Sequence, residues 1–215
     1  FFTHIMSGIS YMVPMVIAAG LILTIANLYA FQKDDLGRIV NWGFDTTTQM
    51  GMLMSKLFYV GQVGFKLMIP LFAGFVANSI ADKPAIAPAM IGAFLVNDPE
   101  FLGTEAGGGF IGAIIVAFIV GYLVKALKKV KWPKIILPIV PIMIIPFIST
   151  LIITLIVMYI IGEPIAIGMD GMYSGLTALN ENFSGAPIII GAICGAMIGF
   201  DLGGPINKTA LVFGT

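Results

Sequence analysis

Long apolar blocks separated by short polar stretches set the pattern of this chain. Crossing the hydrocarbon core as a helix takes about 20 apolar residues. Ile9 to Tyr29 meets that length, with Pro14 near its start, where a proline disturbs a helix least. Gln32 to Gln49 is polar and mixed in charge, and its Trp42 and Phe44 suit a segment at headgroup level. Leu57 to Ile80 is the second expected span, with Lys66 and Pro70 inside it. Ala85 to Val96 is about 18 Å long as a helix, too short to cross unaided. It is either a tilted crossing buried in protein or a re-entrant piece. Asn97 to Gly109 reads as a loop carrying Asp98, Glu100, Glu105 and a run of glycines. Phe110 to Leu127 is the next span, and Ala113, Ala117 and Gly121, four apart, form a face on which another helix can approach closely. Ile135 to Ile161 contains Pro138, Pro141 and Pro146, which predict a kinked, tilted helix. Glu163 to Ser184, with Asp170 and Glu181, is mixed and interfacial. Pro187 to Gly199 is again short, about 20 Å.

Composition gives the class. With 215 residues, 59% hydrophobic and 10% charged, and a mean hydropathy of +1.03, the chain lies outside the range of soluble proteins. The expected fold is all-α: a polytopic transmembrane helical domain with broken or re-entrant helices and about five or six crossings. Lys+Arg and Asp+Glu each number 11, so charge offers no case for a nucleic-acid partner. Lys125, Lys128, Lys129, Lys131 and Lys134 cluster without an acid, which places that loop in the cytoplasm. Counting back, the 97–109 loop faces out, Asp82-Lys83 in, the 32–49 segment out and the N-terminus in, provided that Ala85 to Val96 crosses. Counting forward, Glu163 to Ser184 faces out and the loop after Gly199 lies toward the cytoplasm. Cys194 is the single cysteine, so no internal disulfide is possible. The first apolar run is long enough to span and lacks a small-residue cleavage site, so no cleavable signal is recognisable. The chain begins without Met and stops as Ala210-Leu-Val-Phe opens a new apolar segment. Residues 1–215 are therefore expected to be one membrane-embedded domain, present as a fragment of a longer chain.

The candidate chemistry lies near the end. An apolar segment with Gly191, Gly195 and Gly199 runs into Asp201, then Gly203, Gly204 and Pro205, then Asn207 and Lys208. Irregular backbone at membrane depth survives only where it is buried in protein or lines a watery cavity, and interrupted helices mark transporter substrate sites. Asp supplies acceptors and Asn both donors and acceptors, which suits a polar solute, and the break frees backbone N–H and C=O groups toward the same space. The alternative is a helix end at the interface, with Lys208 snorkelling to headgroups and Asp201 as its partner. His4 is the single histidine; it is an interfacial residue before the first span or a hydrogen-bonding group for a sugar or a neighbouring helix, and one His builds no metal site. Lys66 reaches the interface or pairs with an acid. Glu163 and Asp170 read as solvated. The glycine ladder reads as a packing face and Cys194 within it as a small buried hydrophobe. The 13 methionines read as adaptable packing. There is no Walker A loop, so the chain does not itself hydrolyse ATP, and no Cys/His pair could accept a phosphoryl group.

Phe200-Asp-Leu-Gly-Gly-Pro-Ile-Asn-Lys208, followed by Thr-Ala and by Phe213-Gly214, resembles the signature of the fructose-type sugar phosphotransferase permeases, the IIC membrane component of the bacterial phosphoenolpyruvate-dependent system. Ser7-Gly-Ile-Ser-Tyr-Met-Val-Pro14 through Gly20 is similar to that family's first transmembrane helix. Pro70 to Gly74, Ser79 to Pro88, and Phe110-Ile-Gly-Ala-Ile-Ile resemble its middle, so the likeness runs in order along almost the whole chain. The resemblance implies a homodimer in the bacterial cytoplasmic (inner) membrane, with a scaffold part and a mobile sugar-binding part. It implies uptake of a hexose, fructose or a related sugar, held by Asp201, Gly203, Gly204, Asn207 and Lys208, with His4 as a further candidate. It also implies phosphorylation of that sugar by phosphocysteine on a cytoplasmic IIB partner. No cofactor or metal is implied, and the chain would be the membrane part of a sugar phosphotransferase without a phospho-acceptor of its own. Family members carry a Gly-Ile-Thr-Glu motif further downstream, with a sugar-contacting carboxylate. A different class, an ion- or proton-coupled secondary transporter of a small polar solute, would use Asp201 and Lys66 as a coupling pair.

Overall fold

The computed structural model describes residues 1–33, 39–103, 107–164 and 191–197, with scattered positions from 167 to 178. It is a helical membrane domain: four helices among the described residues are long and apolar enough to cross a bilayer, beginning at Phe2, Gln49, Gly109 and Val140. Two compact units emerge, one formed by Ile9–Met68 and the other by Phe1–Gly8 with Ile69 onward.

In the first unit, α1 (Phe2–Ala30) leads into a short antiparallel pair, β1 (Phe31–Lys33) and β2 (Ile39–Trp42), which was not expected from the sequence. Phe31 lies opposite Trp42, with an irregularity between Gln32 and Lys33, and Gly43 N–H closes the pair on the Ala30 carbonyl at 3.0 Å. Helix α2 (Gln49–Ala81) begins well before its apolar part because its N-terminus is capped. Thr48 Oγ1 accepts from Gly51 N–H at 3.1 Å, and Asp45 Oδ1 accepts from the Thr47 amide at 3.0 Å and hydroxyl at 2.6 Å. Those bonds hold the Asp45 carboxyl below the usual carboxylate range. Small residues let α1 and α2 close on each other: a Cβ on Gly64 would lie 2.6 Å from that of Ala19. Lys66 is exposed on α2.

The second unit is centred on a short helix. A 3₁₀ turn (Lys83–Ala85) leads into α3 (Ile86–Leu95), which packs against α5 (Gly109–Leu127) and α6 (Ile145–Ile156). Ala85, Ala89, Ala93 and Val96 are wholly buried, as are Ala113, Val116, Ala117 and Val120. Ala85 to Val96, too short to cross unaided, is thus buried in protein. The Asn97 to Gly109 loop contains one turn of helix, α4 (Pro99–Leu102), whose first amide is capped when Asp98 Oδ1 accepts from Glu100 N–H at 3.1 Å. Asn97 Nδ2 donates to Ala93 O at 2.8 Å and Gly109 O at 3.3 Å, and Gly108 N–H donates to Val96 O at 2.7 Å. These bonds tie the end of α3 to the start of α5. The glycines are required here: a Cβ on Gly107 would lie 2.5 Å from Asn97 O, and Gly109 has φ +56°.

At the opposite end of α3, Lys128 Nζ meets Asp82 Oδ2 at 2.7 Å. The pair brings the ends of α2 and α5 to one side of the domain, as the count from the lysine cluster expected of Asp82-Lys83 and that cluster. Asp82 has φ 58° and ψ −166°, a region costly for any residue with a Cβ, so the sharp turn from α2 into α3 is imposed by the helices on either side. The hydrogen bond from Lys128, and then its charge, holds the Asp82 carboxyl below the usual carboxylate range. A depressed folded value means that this contribution to stability is present at neutral pH and is lost as pH falls through that value. Thermal unfolding of wild type and Asp82→Asn in detergent should therefore differ at pH 7, with the difference shrinking as pH falls below about 4 and vanishing only beneath the depressed folded value. A difference that persists in acid would remove the ion pair as its cause.

The proline-rich span accommodates its prolines by a particular device. Residues Val140–Ile144 and Val157–Ile161 flank α6 as π-helical turns, closed by Ile145 N–H on Val140 O and Gly162 N–H on Val157 O. Each stands shortly before a proline, Pro146 and Pro164, whose ring cannot tolerate a regular i−4 carbonyl. Widening the preceding turn by one residue moves that carbonyl aside. Between α5 and this span, Trp132 Nε1 donates to Leu127 O at 3.3 Å, while Lys129, Lys131 and Lys134 are exposed.

Candidate functional site

Asp201, Gly203, Gly204, Asn207 and Lys208 lie outside the described residues, as do both ends of Pro187 to Gly199. The described part of that segment, residues 191–197, is helical. Cys194 is buried there, as expected of a small hydrophobe, but Gly191 and Gly195 meet no described atom within 4 Å, so the partner expected for their packing face is not among the described residues.

His4 can be placed, and its surroundings follow from one small residue. Gly8 lies against α2: a Cβ there would sit 2.5 Å from Val76 Cγ2 and 2.8 Å from Phe72 O. That close approach carries His4, one turn earlier on the same face, to the next turn of α2. His4 Nδ1 is 2.8 Å from Ser79 Oγ, in a partly buried setting, and Ser79 Oγ donates to Val76 O at 2.7 Å. The imidazole meets the ring of Phe118 on α5 edge to face, with centroids 6.3 Å apart and planes at 78°. Phe118 in turn stacks with Phe1 at 4.9 Å and lies 6.3 Å from Tyr122. Ser79 stands three residues before Asp82, about one helical turn, so this cluster belongs to the same end of the domain as the Asp82–Lys128 pair.

Sequence reasoning found His4 but missed Ser79, Phe118 and the ion pair. Ser79 offered one signal, a hydroxyl in an otherwise apolar stretch one turn from a charged pair of residues. The pairs themselves, His4 with Ser79 and Asp82 with Lys128, are 75 and 46 positions apart in the chain, beyond any local pattern.

A helical, multi-pass membrane domain with a short buried helix among its spans defines the class, and comparison with known proteins gives the family. The family model for the phosphotransferase system EIIC matches residues 6–215, and the chain belongs to that family. It is 36% identical over 214 residues to the "Fructose-like PTS system EIIBC component" of Escherichia coli (strain K12), covering 98% of this chain and 42% of the relative. It is 31% identical over 219 residues to the "PTS system fructose-specific EIIC component" of Haloferax volcanii, covering 97% and 56%. It is 38% identical over 215 residues to the "PTS system fructose-specific EIIB'BC component" of Vibrio cholerae serotype O1, covering 99% and 33%. The chain spans between 31% and 56% of the length of these and similar curated relatives. No solved structure matches it.

Proposed function

We propose that this protein carries a hexose, fructose or a close relative, across the cytoplasmic membrane of a bacterium by phosphoenolpyruvate-dependent group translocation. The observation that supports this most is the family match along residues 6–215, which takes in the broken-helix sequence Asp201 to Lys208. Relatives named for fructose and for fused EIIB parts support the sugar and the partner. The sugar enters from outside and is held by Asp201, Gly203, Gly204, Asn207 and Lys208, within a domain that works as a homodimer. A phosphocysteine on the IIB partner then gives up its phosphoryl group: the P–S bond breaks, a P–O bond forms to a sugar hydroxyl, that hydroxyl's proton passes to a nearby base, and the thiolate leaves with the partner. Lys208 would neutralise charge developing on the phosphoryl oxygens, because catalysis of this transfer is mainly positioning and electrostatics. The product cannot return because a phosphate dianion does not cross hydrocarbon.

The test is uptake of radiolabelled fructose by the full-length protein with its IIB partner, followed by chemical identification of the internal product. Internal sugar phosphate that requires phosphoenolpyruvate is the expected result. Free internal sugar driven by an ion gradient would replace this reading with coupled secondary transport.

A further inference from the structure

We propose that Ser79 locks His4 into one tautomer, and that His4 Nε2 thereby serves as the hydrogen-bond acceptor for a hydroxyl of the unphosphorylated sugar. The inference rests on the sugar-carrying function above. Its ground is a count of protons. A serine hydroxyl has one hydrogen, and Ser79 Oγ stands 2.7 Å from Val76 O, an atom that can only accept. The Ser79 proton lies on that line, since two bare oxygens at this distance would repel. The same Oγ is 2.8 Å from His4 Nδ1, so Nδ1 must carry the hydrogen and donate it. In a neutral imidazole this leaves the lone pair on Nε2.

Nε2 has no protein partner among the described residues. Beside it runs the row of rings Phe1, Phe118 and Tyr122, of which Phe1 is 69% and Tyr122 57% exposed. A fixed acceptor next to aromatic faces suits a sugar, whose hydroxyl donates while its C–H face packs on a ring. The same arrangement disfavours the product. A phosphate group brings only acceptor oxygens at neutral pH, and a lone pair on Nε2 gives them nothing to bind. With Nε2 on the hydroxyl that becomes phosphorylated, the group therefore discriminates sugar from sugar phosphate, which helps release after transfer. Here His4 is a binding residue and Ser79 a positioning residue. A His4–Ser79 bond that merely pinned α1 to α2 would make no use of Nε2, and this separates the two roles.

The experiment uses the full-length protein in proteoliposomes with fructose and fructose phosphate as probes. Imidazole nitrogens are labelled with ¹⁵N, and the His4 signal is assigned by its loss in His4→Asn. The expected spectrum shows Nδ1 protonated and Nε2 bare, a shift of Nε2 on addition of fructose and none with fructose phosphate, and a mixture of tautomers in Ser79→Ala. His4→Asn keeps a donor toward Ser79 but has nothing at the Nε2 position, and should weaken fructose binding by about tenfold. His4→Gln places an amide oxygen near that position and should restore most of it. If wild type binds fructose and His4→Asn binds it equally well, or if Nε2 carries the proton, this inference is overturned while the proposed function stands. If wild type binds no sugar, both are overturned.

Discussion

Replacing Gly92 with valine is expected to cost the domain about 3 kcal/mol or more and to lower the yield of folded, monodisperse protein in detergent. Gly92 on α3 lies against both α5 and α6. A Cβ on it would lie 2.8 Å from Val116 Cγ1 on α5 and 2.9 Å from Ile153 Cγ1 on α6. Both neighbours are wholly buried, so neither can swing into solvent or lipid to make room. Lipid tails are as apolar as these side chains, so membrane helices are held by fit more than by exclusion from water, and a misfit has no hydrophobic term to offset it. Alanine at the same place sets overpacking of about 1–3 kcal/mol against up to about 1 kcal/mol gained in helix propensity, and should be mildly destabilising. Adding Val116→Ala to Gly92→Ala should recover stability beyond the sum of the single changes, a coupling of about 0.5–3 kcal/mol in thermal unfolding. Valine at 92 with wild-type stability would mean that α3 is not packed between its neighbours.

Gly92 also shows why some of this fold could be read in advance and some could not. Helix α5 was legible almost to the residue, because an apolar block bounded by glycines and lysines carries its own limits, and its expected small-residue face, Ala113, Ala117 and Gly121, is buried. Hydropathy located the apolar part of α2 but not its start at Gln49, since a helix continues past the bilayer wherever its first amides find a cap, here in Thr48. It stopped short at the front of α1 too, where residues before Ile9 remain helical and Gly8 docks on α2. The prolines announced an irregular helix in the last span without revealing its π-helical turns. Pairs such as His4 with Ser79, or Asp82 with Lys128, come from the packing of distant helices, and no spacing rule brings them together. The stretch around Asp201, expected to break a helix, was the reverse case. Its glycines, proline and polar side chains were conspicuous in the sequence, and it lies outside the described residues.

That segment yields the prediction with the largest effect on function: Asn207→Ala should reduce phosphoenolpyruvate-dependent uptake by roughly 5- to 150-fold while leaving the amount of protein in the membrane unchanged. The estimate follows from what the amide would do. Under the proposed function, Asn207 both donates to and accepts from sugar hydroxyls, and removing it leaves those groups desolvated without a partner, at a cost of about 1–3 kcal/mol. Asn207→Asp keeps the acceptor and loses both donors, so it should fall between wild type and alanine if the amide bridges two hydroxyls. The interfacial alternative makes the opposite forecast. If Lys208 reaches headgroups and Asp201 is only its partner, Lys208→Gln should lower the amount of inserted protein, and Asn207→Ala should transport normally. Measuring initial uptake rate and membrane abundance together for the two variants separates the readings. Loss of rate at constant abundance in Asn207→Ala assigns the broken helix to the sugar; loss of abundance in Lys208→Gln with normal uptake by Asn207→Ala assigns it to the lipid interface.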